Sequence, residues 1–348
     1  MREATNHWAA GAKCIHIGLI NNMPDSALEA TERQFRALLC EAESAEGIAV
    51  RLSLFAIPEI PRSEKARCRI DSSYLSLNEL WDNRLDGLVV TGAEPVARKL
   101  TEEPYWASLA NLIDWAEHNA YSSVWSCLAA HAAVLRMHGI ERRRFGDKLF
   151  GVFECAKRSD HPLTAGVPAR FQIPHSRWND IPEDVLSACG YRILTQLENG
   201  SVDVFVRQTK NLFVFFQGHP EYNADSLLLE YRRDIRRFLN RERELYPSMP
   251  QGYFDGDATA AFTSVRARAV ADRREQSLAN FNPLMQSPDI RNTWHPDAVR
   301  FYRNWLRYLF EQKNMRSESR SRPIQYELNT AAAVIAAGAG PLVQEVEA

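Results

Sequence analysis

The chain has 348 residues, 45% of them hydrophobic and 25% charged, enough for one large or two moderate globular units with a real core. Its 42 Lys and Arg against 44 Asp and Glu leave a net charge of -2, which makes no electrostatic case for nucleic acid or anionic lipid as a partner. No apolar run approaches the roughly 18 residues needed to cross a bilayer, and the opening MREATNHWAAGAK has no apolar stretch of signal-peptide length. The expectation is a cytoplasmic protein.

Cys14 to Ile20 (CIHIGLI) is a short, β-branched apolar run and reads as a buried strand. Asn21, Asn22, Met23 and Pro24 break it, and Asp25 or Ser26 can cap a helix through Ala27 to Ala42 with Phe35, Leu38 and Leu39 on its apolar face. Val50 to Ile57 and Leu85 to Val90 read as further strands, the latter ended by Thr91 and Gly92. Trp106 to His118 is an amphipathic helix, Ser122 to Ser126 a strand, and Leu128 to Met137 a helix. Such alternation predicts an α/β fold with a mostly parallel sheet and helices on both faces. The second half offers strands at Tyr191 to Gln196, Ser201 to Gln208 and Leu212 to Phe216, then a charged helix from Ala224 to Arg241. Residues 246–293 are less regular, with an Arg-rich helical stretch at 265–275, and 295–312 reads as a last amphipathic helix carrying Phe301, Trp305, Tyr308 and Leu309. Residues 1–13 are expected to be a flexible N-terminus, and the Ser/Arg and then Ala/Gly-rich 314–348 a mobile tail.

The six cysteines form no CxxC pair and are too sparse for a disulfide scaffold, so they read as reduced thiols. The nine histidines are scattered without metal-ligand spacing, so no metal is expected. One thiol stands apart. In Ser122-Ser-Val-Trp-Ser-Cys127-Leu-Ala-Ala-His an apolar strand runs straight into a helix, with Cys127 at the junction. A side chain there projects above the sheet edge, at a helix N-terminus whose unpaired N–H groups favour an anion. The Leu128 N–H would face an oxyanion formed by attack on a carbonyl. The plain alternative is a buried structural cysteine in a tight corner.

A second strand ends the same way at Leu212-Phe-Val-Phe-Phe-Gln-Gly218-His219-Pro220-Glu221-Tyr222. Glu221 can hydrogen-bond one imidazole nitrogen of His219 and leave the other free as a base. A lone His is usually a satisfied surface or core residue, but together the two junctions suggest a Cys127–His219–Glu221 triad, defined by roles rather than order.

These segments resemble the class I glutamine amidotransferase-like fold, a flavodoxin-like three-layer arrangement. The whole pattern is similar to the homoserine O-acyltransferases of the MetA type, which are homoserine O-succinyltransferases or O-acetyltransferases. The matching stretches are IGLINNMP, LDGLVVTGAEP, EEPYW, CLAAHA, KLFGVFE, IPHSRWNDIP, FFQGHPEY, LLLEYRRD and FYRNWLRYLFEQ, together spanning about residues 14–313. The resemblance implies one acyltransferase domain with a C-terminal helical extension, and acyl transfer from acyl-CoA to the hydroxyl of L-homoserine through a thioester on Cys127, in methionine biosynthesis. It implies His219 as general base, Glu221 as its partner, backbone oxyanion donors at Leu128 and Gly92, and substrate binding by Lys148, Ser176 and Arg233. It implies no bound cofactor, acyl-CoA as co-substrate, and a homodimer. In the family a residue just after the TGA turn selects the acyl donor, a bulky Glu marking acetyl-CoA users. Here the equivalent is Val96 or Ala97, followed by Arg98 and Lys99, which favours succinyl-CoA over acetyl-CoA.

The chain departs from the family pattern in four places. Ala129 and His131 stand where the family has Gly and Gln, Asp25 and Ser26 where it tends to have lysines, 258–293 looks inserted or divergent, and the segment after 314 has no counterpart. Three other readings therefore stay open. One is acyl transfer to another hydroxy amino acid such as L-serine. Another is an amidase or amidotransferase-type hydrolase using the same triad. The last is a non-catalytic relative.

Overall fold

The structure is a computed structural model that describes residues 13–274 and 290–321. The chain divides into two compact units, 1–313 and 314–348, and the first carries everything considered below. In chain order its elements are β1 (Cys14–Ile20), α1 (Asp25–Glu46), β2 (Ala49–Phe55), α2 (Glu64–Ser73), α3 (Leu77–Trp81), β3 (Gly87–Val90), α4 (Trp106–Asn119), β4 (Ser122–Ser126) and α5 (Leu128–His138). There follow β5 (Arg143–Lys157), β6 (Arg170–Asp180), α6 (Glu183–Ala188), β7 (Arg192–Ile193), β8 (Thr195–Leu197), β9 (Val204–Gln208), β10 (Leu212–Phe216), α7 (Ser226–Leu239), α8 (Gly256–Ala271) and α9 (His295–Ser321).

Seven strands form the main sheet in the order β2-β1-β3-β4-β10-β9-β7. The first five run parallel, while β9 and β7 add an antiparallel edge. Every residue of β3, β4 and β10 is buried, as expected of parallel strands covered on both faces. Successive side chains alternate between faces. Ile15, Ile17, Leu19, Val89, Val124 and Val214 meet Phe35 and Leu38 of α1 and Phe301, Trp305 and Leu309 of α9 on one side. Leu88, Val90, Trp125, Phe213 and Phe215 meet Leu109, Leu112 and Ile113 of α4 and Ala129, Ala130 and Ala133 of α5 on the other. The result is a three-layer α/β fold, a mostly parallel sheet with helices on both faces and a helical C-terminal segment.

In a second, three-stranded antiparallel sheet, β6-β5-β8, the strands β5 and β6 were not anticipated. Its long hairpin slips register between Arg144 and Leu149, and this interrupts the period-two pattern by which a strand is recognised. The expected strand at 191–196 is two strands in different sheets. β7 pairs with β9, and β8 pairs with β5, so the chain changes sheets at Leu194. The first helix also starts differently. Pro24 occupies the cap position with no side-chain bond, while the Asp25 carboxylate accepts the Ser63 N–H at 2.7 Å and pairs with Arg62.

Part of the expected irregular segment is ordered. Asp255 caps α8 by accepting the Ala258 N–H at 2.7 Å, and Phe262, Val265 and Ala269 pack with Leu227, Tyr231 and Ile235 of α7 in a third apolar cluster beside the small sheet. The helix begins nine positions before the Arg-rich stretch because Ala and Phe, rather than Arg, form its buried face. Residues 275–289, most of the flexible N-terminus expected over 1–13, and all but the first eight residues of the expected tail lie outside the described residues; those eight continue α9 as far as Ser321.

Candidate active site

The parallel pair β4 and β10 builds the site. Ser126 lies opposite Phe216 at the two carboxyl ends, so the residues that follow each strand emerge side by side. The Cys127 N–H donates to the Phe216 carbonyl at 2.7 Å and ties the two junctions together. Cys127 itself has φ 51° and ψ -110°, a left-handed conformation that costs a non-glycine residue about 1–3 kcal/mol. That turn aims the thiol off the sheet, at the start of α5, where Leu128 has an N–H with no intrahelical acceptor. Gly92, just past β3, lies so close that a Cβ on it would be 2.7 Å from the Leu128 Cβ and 3.2 Å from the Leu128 nitrogen. The two backbones can approach this closely only because Gly92 has no side chain.

Beyond β10 the chain turns at Gly218, where an added Cβ would meet Asp203 Oδ1 at 2.8 Å and His175 Cε1 at 3.0 Å. The Gly218 N–H donates to Asp203 Oδ1 at 3.2 Å, and the His219 N–H to the Pro174 carbonyl at 2.8 Å, which fixes the backbone of the loop. His219 Nδ1 is 2.9 Å from Glu221 Oε1, its ring stacks on Tyr222 with centroids 4.2 Å apart, and it lines the same cleft as the Cys127 thiol. Burial alone would disfavour the His219 imidazolium. The charges of Glu221 and Cys127, with the hydrogen bond to Glu221, outweigh burial and lift its pKa well above the ordinary range.

One helical turn from Cys127, His131 stands where the resemblance places Gln. Its Nε2 is 2.9 Å from Gln217 Oε1, and burial, reinforced by the Arg177 charge, lowers its pKa to about 3. The neutral ring thus donates to Gln217, two residues before His219.

Cys127, Leu128, Gly92, His219 and Glu221 open onto one cleft of about 480 Å³, and Lys148, Ser176 and Arg233 line the same cleft. These last three converge on a residue that sequence reading missed. Glu230 Oε2 lies 3.3 Å from Lys148 Nζ, 2.5 Å from Ser176 Oγ and 3.8 Å from the Arg233 guanidinium, and its Oε1 accepts the Tyr222 hydroxyl at 2.5 Å. Burial opposes the Glu230 charge, but Lys148, Arg233 and the two hydroxyls prevail and hold its pKa at about 2. Asp234 pairs with Lys148 at 3.5 Å and with Arg233 at 3.2 Å. The spacing of Glu230, Arg233 and Asp234 on one helix face was the available signal.

Two predicted residues are not brought to the site. Val96 is 76% exposed, and neither it nor Ala97 lines the cleft; Arg98 and Lys99 are exposed as well. The Ala97 N–H ties this loop to the carboxylate of buried Glu103 at 2.8 Å. The neighbouring turn residues Gly92, Ala93, Glu94 and Pro95 reach the cleft instead.

The family model described as homoserine O-succinyltransferase matches residues 2–316. The homoserine O-succinyltransferase of Rhodopseudomonas palustris is 49% identical over 86% of this chain and 89% of its own length. Those of Methylorubrum extorquens and Bradyrhizobium japonicum are 45% and 46% identical, each over 84% of this chain and over 86% and 89% of their own lengths. A solved glutamine amidotransferase from Thermotoga maritima matches 85% of this chain and 98% of its own at 13% identity, with a TM-score of 0.45. This chain belongs to the homoserine O-succinyltransferase family of acyltransferases.

Proposed function

We propose that this chain transfers a succinyl group from succinyl-CoA to the side-chain hydroxyl of L-homoserine through a thioester on Cys127, as a step of methionine biosynthesis. The single observation that carries the mechanism is the strained Cys127 elbow on one cleft with a His219 that Glu221 orients. Cys127 gives its proton to His219 and its sulfur attacks the thioester carbonyl. The oxyanion that forms takes the N–H groups of Leu128 and Gly92. The carbon–sulfur bond to CoA breaks, and the CoA sulfur leaves with the proton from His219. Homoserine then gives its hydroxyl proton to His219 and attacks the acyl-Cys127 carbonyl, and Cys127 departs and takes that proton back. One thioester replaces another, so the first step is nearly isoenergetic.

The Glu230 cluster supports an amino-acid acceptor. The Glu230 carboxylate suits an ammonium group, while Arg233 and Lys148 suit a carboxylate, so the wall presents both signs to a zwitterion. The family match favours the transferase over the amidase reading. The test is steady-state release of free CoA with identification of the product. Wild type should yield O-succinylhomoserine only when homoserine is present. Equal CoA release without homoserine would mark a hydrolase.

A further inference from the structure

The cleft contains six cationic side chains, and five of them already hold a carboxylate. Lys148 and Arg233 sit on Glu230 and Asp234, Arg177 on Asp180, Arg237 on Glu94, and Arg243 on Asp234. Arg142 differs. It is half-buried between α5 and β5, and among the described residues no carboxylate lies within 4.0 Å of it. Its buried Nη1 has no hydrogen-bond partner. Close by, the Tyr105 hydroxyl is buried and equally without a partner. Arg142 feels the charges of Tyr105, Glu103 and Cys127, which places it at the nucleophile's side of the cleft. Glu103 does not satisfy it, since one Glu103 oxygen is taken by the Ala97 N–H and the other is itself unpartnered.

A buried guanidinium nitrogen without an acceptor, on the cleft that also holds the sulfur that would carry the acyl group, describes a site for an anion on that group. We propose that Arg142 binds the distal carboxylate of a succinyl group carried on Cys127, and that this contact selects succinyl over uncharged acyl donors. The inference rests on the acyl-thioester reading above and moves donor selection from Val96 and Ala97, which face away, to a residue inside the cleft. The succinyl carboxylate lies two methylenes beyond the thioester carbonyl, within reach of a guanidinium lining the same cavity. An acetyl group would leave the Arg142 donor empty. A site built to hydrogen-bond a substrate group rejects the analogue that lacks it, because its own polar atoms then stay unpaired. The Glu103 charge near Arg142 keeps the empty pocket near neutral, so the ligand is recognised by directed bonds rather than by a diffuse field.

The test compares kcat/KM for succinyl-CoA with that for butyryl-CoA, which has the same chain length without the charge, in wild type, Arg142→Met, Arg142→Lys and Tyr105→Phe. Wild type should prefer succinyl-CoA strongly. Arg142→Met should erase roughly 10- to 100-fold of that preference. Arg142→Lys should restore part of it, and Tyr105→Phe, whose hydroxyl lies outside the cleft, should leave it unmoved. Because the readout is a ratio, a partial loss of folded enzyme cancels. A wild type that does not discriminate between the donors, a ratio unmoved in Arg142→Met, or a loss carried by the KM for homoserine would each overturn the assignment. Should wild type transfer neither group to homoserine, the acyl-transfer reading itself fails. Transfer without discrimination removes only the role of Arg142.

Discussion

The two walls of the cleft are built on different principles. The nucleophile's side stands on the ends of adjacent parallel strands, β4 and β10. Its geometry is set by backbone: a positive φ at Cys127, the Cys127 N–H on the Phe216 carbonyl, and a glycine at each close approach. The opposite wall stands on α7 and the β5–β6 hairpin and is set by charge, with Glu230 held by Lys148, Ser176, Tyr222 and Arg233. Strain positions one wall and electrostatic saturation the other. They should therefore fail differently when perturbed.

The largest expected effect is at the strained wall. Cys127→Ala should lower transfer at least ~10⁴-fold while the protein stays folded, because the nucleophile is lost and no buried charge is exposed. Steady-state assay alongside near-UV circular dichroism reads both. Glu230→Gln should do the reverse. It leaves Lys148 and Arg233 to share Asp234 alone, so stability should fall by about 1–3 kcal/mol, and the KM for homoserine should rise more than kcat falls. Its pH dependence has a definite sign. A carboxyl held at about 2 when folded, against an ordinary 4.5, stabilises at neutral pH, and that contribution is lost as pH drops from 4.5 through 2. Denaturant titration of wild type and variant across that window should show the two converging.

Gly218→Ala probes the backbone again. The new Cβ would press on Asp203 Oδ1 and His175 Cε1, at a cost of roughly 1–3 kcal/mol, and the displaced His219 should lower kcat more than it changes KM. The smallest effect concerns Asp203 beneath that loop. Burial raises its pKa to about 6, even though Thr195, Arg177 and the Gly218 N–H favour its charge. The folded protein then binds a proton that the unfolded chain, at about 3.8, has released. Stability from this group therefore falls as pH rises from about 4 to 6, with a slope of at most ~1.4 kcal/mol per pH unit. Asp203→Asn should remove that slope, and an unchanged slope would assign it elsewhere.

The same contrast explains what could be read from sequence. Cys127 and His219 were legible because each ends an apolar strand, and parallel pairing of β4 with β10 brings the ends together. Leu128 and Gly92 followed from the same corner. Glu230 was not legible as a hub. Its partners come from β5, β6, the turn after β10 and α7 itself, and the register slip in β5 hides the hairpin that carries two of them. Val96 and Ala97 were named from the resemblance alone, and position in a loop does not say whether a residue lines the cleft, which here neither does. Arg142 stands out only once its neighbours are seen to lack a counter-charge.

The account's central claim is that the acyl group rests on Cys127 between two half-reactions. Mass spectrometry of the protein quenched after brief exposure to succinyl-CoA tests it most directly. The account predicts one succinyl adduct, mapped to Cys127, that disappears when L-homoserine is added before the quench. Product formation from succinyl-CoA and homoserine with no adduct on Cys127 at any time would contradict it.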